Sequence, residues 1–182
     1  MTKGPAMLTE TRPLVERDRF IGAMRRVAAS VTVVTTDGVA GRFGATVSAF
    51  SSVSADPPSV LICLNAASRI AKAVARNGRF CVNVLPESGP ELADRFAGRH
   101  DAQIADRFSG VNTFGPPGSA PLIDGATGFF CEVQQCVTSG SHLIVIGTVH
   151  DVLDGEAPPL AWREGGYHRV VPTESAHRMA AE

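Results

Sequence analysis

Apolar positions open the folded part of the chain at helical spacing. Phe20, Met24 and Val27 fall on one face, which predicts a helix over 18–28 with Asp18 as its N-cap. Two more helices are predicted further along, at 68–77 and 90–98. They interrupt a chain that otherwise has the composition of β-strands.

Six runs rich in β-branched, aromatic or alternating apolar residues predict strands. The predicted strands are 31–36, 44–54, 59–64, 79–85, 128–137 and 142–153. Short spacing between strands and a lack of β-α-β alternation favour an antiparallel barrel over a doubly wound sheet. The glycine-rich signatures of dinucleotide-binding and P-loop proteins do not occur in the sequence.

Length and composition indicate one globular domain. The chain has 182 residues, of which 44% are hydrophobic and 19% charged, with a formal net charge of −1. We expect the domain to span 16–172, between flexible tails at 1–15 and 173–182. Without basic blocks, a signal peptide or an apolar run of about 20 residues, we expect a cytoplasmic protein that binds neither nucleic acid nor membranes.

The cysteines and histidines do not form a metal-binding pattern. Cysteines stand at 63, 81, 131 and 136, without a C-x-x-C pair or a histidine at ligand spacing. We therefore expect four reduced thiols in or near the core and no metal site. No Ser-His-Asp or Cys-His set is evident either, so redox chemistry carried by a bound cofactor fits better than side-chain catalysis.

One stretch is unusual for a strand, because small and hydroxyl side chains make up half of it. It runs from Gly44 to Leu64 and reads GATVSAFSSVSADPPSVLICL. Small residues at 44–49 let a planar heteroaromatic ring approach the backbone, and hydroxyls suit a ribityl chain or phosphate. In a regular strand Ser52 and Ser54 share a face and Ser51 points away. The alternative is an edge strand whose hydroxyls face water.

Three further positions are candidates for ligand contact, each with an ordinary alternative. Ser68 as an N-cap, with Arg69 after it, makes a potential anion site or simply a capped helix. Asn83 interrupts an apolar run, so its amide either meets a ligand or satisfies a neighbouring loop. His142 heads a strand after a glycine-containing turn, where it either serves a ligand or is merely exposed.

Together these segments resemble one family, the short-chain flavin reductases of two-component flavin-dependent monooxygenases, which have the flavin reductase-like, FMN-binding split-barrel domain. The similarity covers about 18–170. The segments that carry it are RFIGAMRRVAASVTVVTT, GATVSAFSSVSADPPSVLICLNAAS, GRFCVNVL, SGSHLIVIGTV and PLAWREGGYHR.

The resemblance implies a mainly β fold with flanking helices, a six-stranded antiparallel Greek-key split β-barrel that forms homodimers. It implies an enzyme that uses NADH or NADPH to reduce FMN or FAD and supplies the reduced flavin to a partner monooxygenase. Two alternatives stay open. One is a reductase that retains its flavin and passes electrons to a corrin or iron acceptor, and the other is a non-catalytic flavin- or haem-binding barrel.

The resemblance also implies roles for individual residues. The residues expected along the isoalloxazine are Thr46, Val47 and Ser48. Those expected at the ribityl-phosphate end are Ser51, Ser52, Ser54, Ser68 and Arg69, with Asn83 supporting the same pocket. His142 matches the histidine of the family's Gly-Asp-His turn and is expected near the nicotinamide, although Ser141 stands where aspartate is common. Tyr167 and His168 match an aromatic-histidine pair that borders the site.

Overall fold

The computed structural model describes residues 13–115 and 119–173. Most of the two predicted tails lies outside these residues. The helices are α1 (Arg17–Met24), α2 (Arg69–Asn77) and α3 (Pro90–Phe96). The strands are β1 (Ala29–Ser30), β2 (Thr32–Thr36), β3 (Phe43–Val47), β4 (Phe50–Ala55), β5 (Pro58–Asn65), β6 (Arg79–Val84), β7 (Thr113–Phe114), β8 (Leu122–Ile123), β9 (Thr127–Ser139), β10 (His142–Leu153), β11 (Leu160–Arg163) and β12 (Gly166–Arg169).

Seven strands form the main sheet, in the order β3-β2-β6-β9-β10-β5-β4, and every neighbouring pair is antiparallel. The two edge strands, β3 and β4, are consecutive in the chain and only Ser48 and Ala49 separate them. The sheet must therefore curl until its two edge strands come together at this bend, where the amide of Cys63 on β5 donates to the Ala49 carbonyl at 3.0 Å. The predicted mainly β antiparallel barrel is confirmed.

The predicted strand 44–54 is two strands and not one. The main sheet accordingly has seven strands and not the six expected. The chain leaves one edge of the sheet at Val47 and joins the other edge at Phe50, so this stretch forms two strands. Two small sheets were not predicted. One has the order β1-β11-β12, and the other pairs β7 with β8. The β11–β12 hairpin of the first sheet lies beside the bend at 48–49.

Strand β2 is the centre of the core because both of its faces are buried. Val33 packs into a cluster under α3 with Phe96 and Leu122, while Val34 packs into a second cluster under α2 with Val74. Its threonines are buried too, and each hydroxyl donates to a backbone carbonyl from a neighbouring segment. Such pairing is required of buried hydroxyls.

The helix ends follow local signals only in part. Ser68 caps α2, with its hydroxyl 3.2 Å from the Ala71 amide, and Gly78 ends that helix with a φ of 70°, as predicted. Asp18 is not an N-cap, because α1 begins after Glu16 and Asp18 lies within its first turn. None of the described helices is long and apolar enough to cross a membrane.

The cysteine prediction is wrong for one position. Cys81 and Cys131 are buried and Cys63 is half-buried, but Cys136 is exposed. It lies on the outer half of β9, where side chains on both faces of the strand are open to solvent. Burial raises the pKa of the Cys131 thiol to about 12 and that of Cys81 further, which keeps both as neutral core thiols.

Candidate functional site

The first part of the hydroxyl-rich stretch, strand β3, lies at an open edge of the barrel. Among the described strands β3 pairs only with β2, so half of its amides and carbonyls point away from the sheet. Gly44 must be small because α3 lies close against this part of β3. A Cβ on Gly44 would come within 2.5 Å of the Phe96 ring. The edge of β3 therefore offers backbone hydrogen-bonding groups beside short side chains.

A cleft of about 170 Å³ opens along this edge. We call it the β3 cleft, and its lining residues are Val31, Thr46, Val47, Ser48, Ala97, Arg99, Trp162 and Tyr167. Three of the sequence candidates, 46–48, thus share one wall. The opposite wall comes from the β11–β12 hairpin and from the chain just after α3.

The hairpin wall is aromatic and rigidly held. Trp162 and Tyr167 are cross-strand partners whose ring centroids are 4.9 Å apart. The Tyr167 hydroxyl donates to Oδ1 of Asp94 at 2.5 Å, and the same oxygen lies 3.3 Å from Nε of Arg99. Burial first, and then the hydrogen bond to Asp94, raise the pKa of Tyr167 to about 12. Tyr167 therefore stays a neutral phenol at physiological pH, and Asp94 fixes both it and Arg99.

Thr46 contributes less as a donor than its hydroxyl suggests. Its Oγ1 donates to the Ala93 carbonyl of α3 at 2.6 Å, which ties β3 to that helix. The hydroxyl can still accept a hydrogen bond, but its one proton is used. What the cleft receives from 46–48 is mainly backbone and the exposed Ser48 side chain.

A second depression, of about 460 Å³, begins at the other end of β3. We call it the arginine groove, and it is lined by Arg42, Phe43, Gly44, Ala45, Ser68, Arg69, Ile70, Asp101, Ile104, Ala105, Asp106, Arg107 and Phe108. The Ser68 hydroxyl donates to the Asn65 carbonyl at 2.6 Å and accepts from the Ala71 amide, which caps α2. The predicted anion site therefore depends on Arg69 and on the first amides of α2, which have no intrahelical acceptors.

The serines of β4 are placed differently from the prediction. A register shift between Ser52 and Ser54 breaks the alternation, since Ser52 pairs with Val60 and Ser54 with the next residue, Ser59. Ser52 and Ser54 thus point to opposite faces. They would share a face only in a regular strand, and β4 is not regular.

The β4 serines are also distant from Ser68. Ser54 is opposite Ser59, whereas Ser68 follows Asn65, the last residue of β5. Six residues of extended strand span about 20 Å. One phosphate therefore cannot contact both Ser54 and Ser68 within a single chain. That Ser51 and Ser52 contact the ribityl chain stays a prediction. Ser51 lines a third depression, described below.

Asn83 holds the core together and faces neither cleft nor groove. Its side chain is fully buried; Nδ2 donates to the Val33 carbonyl at 2.9 Å and Oδ1 accepts from the Ile123 amide at 2.6 Å. The alternative that Asn83 satisfies neighbouring backbone is therefore the correct one, although that backbone belongs to strands β2 and β8 and not to a loop, and its predicted place in the ligand pocket is wrong.

The two candidate histidines are both exposed. His142 is the first residue of β10 and pairs with Asn65, which places it near the Ser68 end of the arginine groove. Its Nδ1 lies 3.0 Å from the Ser141 hydroxyl. His168 turns away from the β3 cleft, with Nε2 3.0 Å from the Arg163 carbonyl, while its neighbour Tyr167 lines the cleft.

Sequence reasoning missed several residues that line the two sites. Trp162, Arg99 and Asp94 complete the β3 cleft and its support, and Arg42 and Arg107 line the groove. Trp162 is the only tryptophan of the chain and stands in the closing motif PLAWREGGYHR, which was a usable signal. The residues after α3 carry no local signal of this kind.

Comparison with known proteins agrees with this architecture. Residues 24–171 match the family described as "Flavin reductase like domain". The FMN reductase (NADH) RutF of Ancylobacter novellus is 36% identical over 163 residues, which cover 88% of this chain and 89% of that protein. The 4-hydroxyphenylacetate 3-monooxygenase reductase component of Salmonella typhimurium is 37% identical, covering 76% of this chain and 82% of that protein.

Solved structures agree as well. An NADH:FAD oxidoreductase of Streptomyces globisporus, in complex with NAD and FAD fragments, superposes with a TM-score of 0.79 at 28% identity, covering 90% of this chain and 99% of that one. The family match spans most of the chain, and the similarity to RutF covers 88% of this chain and 89% of that protein. The chain therefore belongs to the flavin reductase-like family.

Proposed function

We propose that this protein is an NAD(P)H-dependent flavin reductase that reduces FMN or FAD by hydride transfer and supplies the reduced flavin to a partner monooxygenase. The observation that carries the proposal is the open edge of β3, which forms one wall of a cleft whose other wall is aromatic. The names of relatives support it, since one is an NADH-dependent FMN reductase and another the reductase component of a monooxygenase.

The residues along β3 fit a flavin. Its ring carries carbonyl and nitrogen groups on one edge, which the unpaired backbone of 46–48 can meet, and apolar faces that suit Trp162. Its phosphate needs a positive site, which Arg69 and the start of α2 provide. From Phe43 to Ser48 the extended chain spans about 17 Å. We place the ring in the β3 cleft and the phosphate in the arginine groove.

A bound flavin supplies the acceptor for the hydride of the nicotinamide. The chain's own contribution is to position the two rings and exclude water between them. Tyr167 is not a proton donor to the ring, because its hydroxyl proton is held by Asp94. Arg99 is paired with the same carboxylate through Nε, and its remaining N–H groups can donate to the negative charge that a hydride brings.

We propose a homodimer in which a second copy covers the N-terminal face. Helix α1 has no buried residue, and Phe20, Met24 and Val27 are each at least half exposed. They border a trough of about 700 Å³ that also contains Phe50 and Leu61. A contiguous apolar surface of this kind marks an interface, and the trough adjoins the edge strand β4. Light scattering should give twice the chain mass, and a monomer at micromolar concentration would contradict the dimer.

The proposed location is the cytoplasm, where an exposed thiol such as Cys136 remains reduced. Fractionation of the producing cells, followed by immunodetection, tests this. Recovery of the chain in the soluble cytoplasmic fraction is the expected result.

The activity is tested by a matrix of initial rates. The purified chain is mixed with NADH or NADPH, and with FMN, FAD or no flavin, and nicotinamide oxidation is followed. We expect oxidation only where a flavin is present. If gel filtration removes the flavin and activity returns on its addition, flavin is a diffusing substrate. A flavin that stays bound through gel filtration favours the alternative that electrons pass to another acceptor.

A further inference from the structure

We infer that the arginine groove binds the adenosine diphosphate half of FAD, and that Arg42 makes FAD the preferred flavin. This inference rests on the proposed function, because it assumes that a flavin phosphate lies at Arg69. It goes beyond that function by assigning the far side of the groove, which FMN would leave unused.

The groove is larger than one phosphate requires. Its volume is about 460 Å³, and cavities of about 300–1,000 Å³ hold whole small-molecule ligands. A phosphate at Ser68 and Arg69 occupies one side only. The other side, formed by Arg42 and the loop 104–108, remains for a further part of the ligand.

Some charged side chains of the groove are held by structural contacts, and others are available to bind a ligand. Arg107 forms a two-bonded pair with Asp101, at 2.8 and 2.6 Å, and also donates to the carbonyls of Gly44 and Phe96. Arg107 is therefore part of the wall. Within the described residues Arg42 and Arg69 have no carboxylate in ion-pair range, so two cations face a groove that a diphosphate would enter.

Arg42 is held in place before any ligand arrives. Its guanidinium carbon lies 4.0 Å from the centroid of the Phe108 ring, and Nη2 donates to the Thr113 hydroxyl at 2.8 Å. An arginine stacked on an aromatic face loses little further freedom on binding, and its remaining N–H groups match phosphate oxygens. The Arg42 guanidinium is thus already positioned to bind a second phosphate.

The rest of the groove suits an adenosine. Phe43, Ile70 and Ile104 provide apolar surface for a base. Asp106 accepts the Phe108 amide at 2.9 Å through Oδ1, which leaves its second oxygen for a ribose hydroxyl. This carboxylate also opposes the two cations, so the groove favours a ligand that has both phosphates and hydroxyls over a bare anion.

Equilibrium titrations test the inference without relying on turnover. The full-length chain is titrated with FMN, FAD, ADP and NADH in a calorimeter. We expect FAD to bind about tenfold more tightly than FMN, the increment of one charged hydrogen-bonding group. Arg42→Gln should remove that advantage and leave FMN affinity within about twofold, and Arg42→Lys should retain part of it. Arg76→Gln, at the exposed far end of α2, is the matched control and should change neither affinity.

Each other outcome overturns the inference in a recognisable way. Equal FMN and FAD affinities in the wild-type chain, or an equal loss of both in Arg42→Gln, mean that Arg42 does not distinguish the flavins. A loss of NADH affinity with unchanged FAD affinity assigns the adenosine diphosphate site to the nicotinamide dinucleotide. Binding of neither flavin refutes the proposed function itself. Thermal melts of the variants should match the wild type, because Arg42 is exposed.

Discussion

Tyr167 provides a direct test of the geometry of the β3 cleft, because it is the only tyrosine in the chain. A free tyrosine has a pKa of about 10, and burial together with the Asp94 hydrogen bond raises that of Tyr167 to about 12. At pH 11 an unperturbed phenol is about nine-tenths ionised, whereas one with a pKa of 12 is about one-tenth ionised. This difference is easily measured.

The assay is a spectrophotometric titration of phenolate absorbance, with the guanidinium-unfolded chain as the reference. We expect the unfolded chain to titrate near pH 10 and the native chain well above it. Asp94→Asn removes the charge but not the burial, so its midpoint should lie between the two. Asp151→Asn, an exposed aspartate on β10, should not move it. A native midpoint equal to that of the unfolded chain would refute the cleft described above.

The same shift fixes the sign of the pH dependence of stability. The folded chain holds the Tyr167 proton more tightly than the unfolded chain does, so the contribution to the free energy of unfolding is complete below about pH 10. It should be lost as the pH rises from about 10 to about 12. Denaturant melts across this range provide the measurement.

Three further predictions concern the core and the site. Asn83→Leu should lower the free energy of unfolding by about 3 kcal/mol by leaving buried partners unpaired. Asn77→Leu should cost less, since Asn77 makes a similar set of bonds where water can replace it, and equal losses in denaturant melts would contradict this. Trp162→Leu should weaken flavin binding about tenfold in fluorescence titrations, as one aromatic wall is lost. His142 lies near the Ser68 end of the arginine groove, beside the proposed phosphate, so His142→Ala should leave the stopped-flow rate of flavin reduction unchanged. A rate about tenfold slower at unchanged flavin affinity would instead place His142 near the nicotinamide, as the family resemblance implies.

Local signals predicted the parts of the fold that local chemistry determines. The run Thr32–Thr36 is a strand as expected, and α2 begins and ends at its capping residues Ser68 and Gly78. The split of 44–54 could not be predicted in this way, because the alternation of residues continues through Ser48 and Ala49. The bend is imposed by closure of the sheet. Strands as short as β1 and β11 also lack a readable period.

The site was predictable where one stretch of backbone defines it. Small side chains identified 44–49 as a place where a ring can approach the backbone, and the family resemblance narrowed this to 46–48, which do line the cleft. Ser52 and Ser54 were misplaced because a register shift cannot be recognised from alternation alone. Asn83 shows why a buried amide is ambiguous: the sequence tells that it needs hydrogen-bond partners but not which groups those partners are. Arg99 reaches the cleft only because the end of α3 packs beside the β11–β12 hairpin, a contact between segments distant in sequence.

Anaerobic reduction of excess flavin tests the central claim most directly. A catalytic amount of the chain is mixed with FMN or FAD in large excess and a matching amount of NADH, and the visible absorbance of oxidised flavin is followed. A flavin reductase of the kind proposed bleaches all of the flavin over many turnovers. The account would be contradicted if the rate of flavin reduction equalled that of the protein-free mixture for both flavins, whether NADH or NADPH is the reductant.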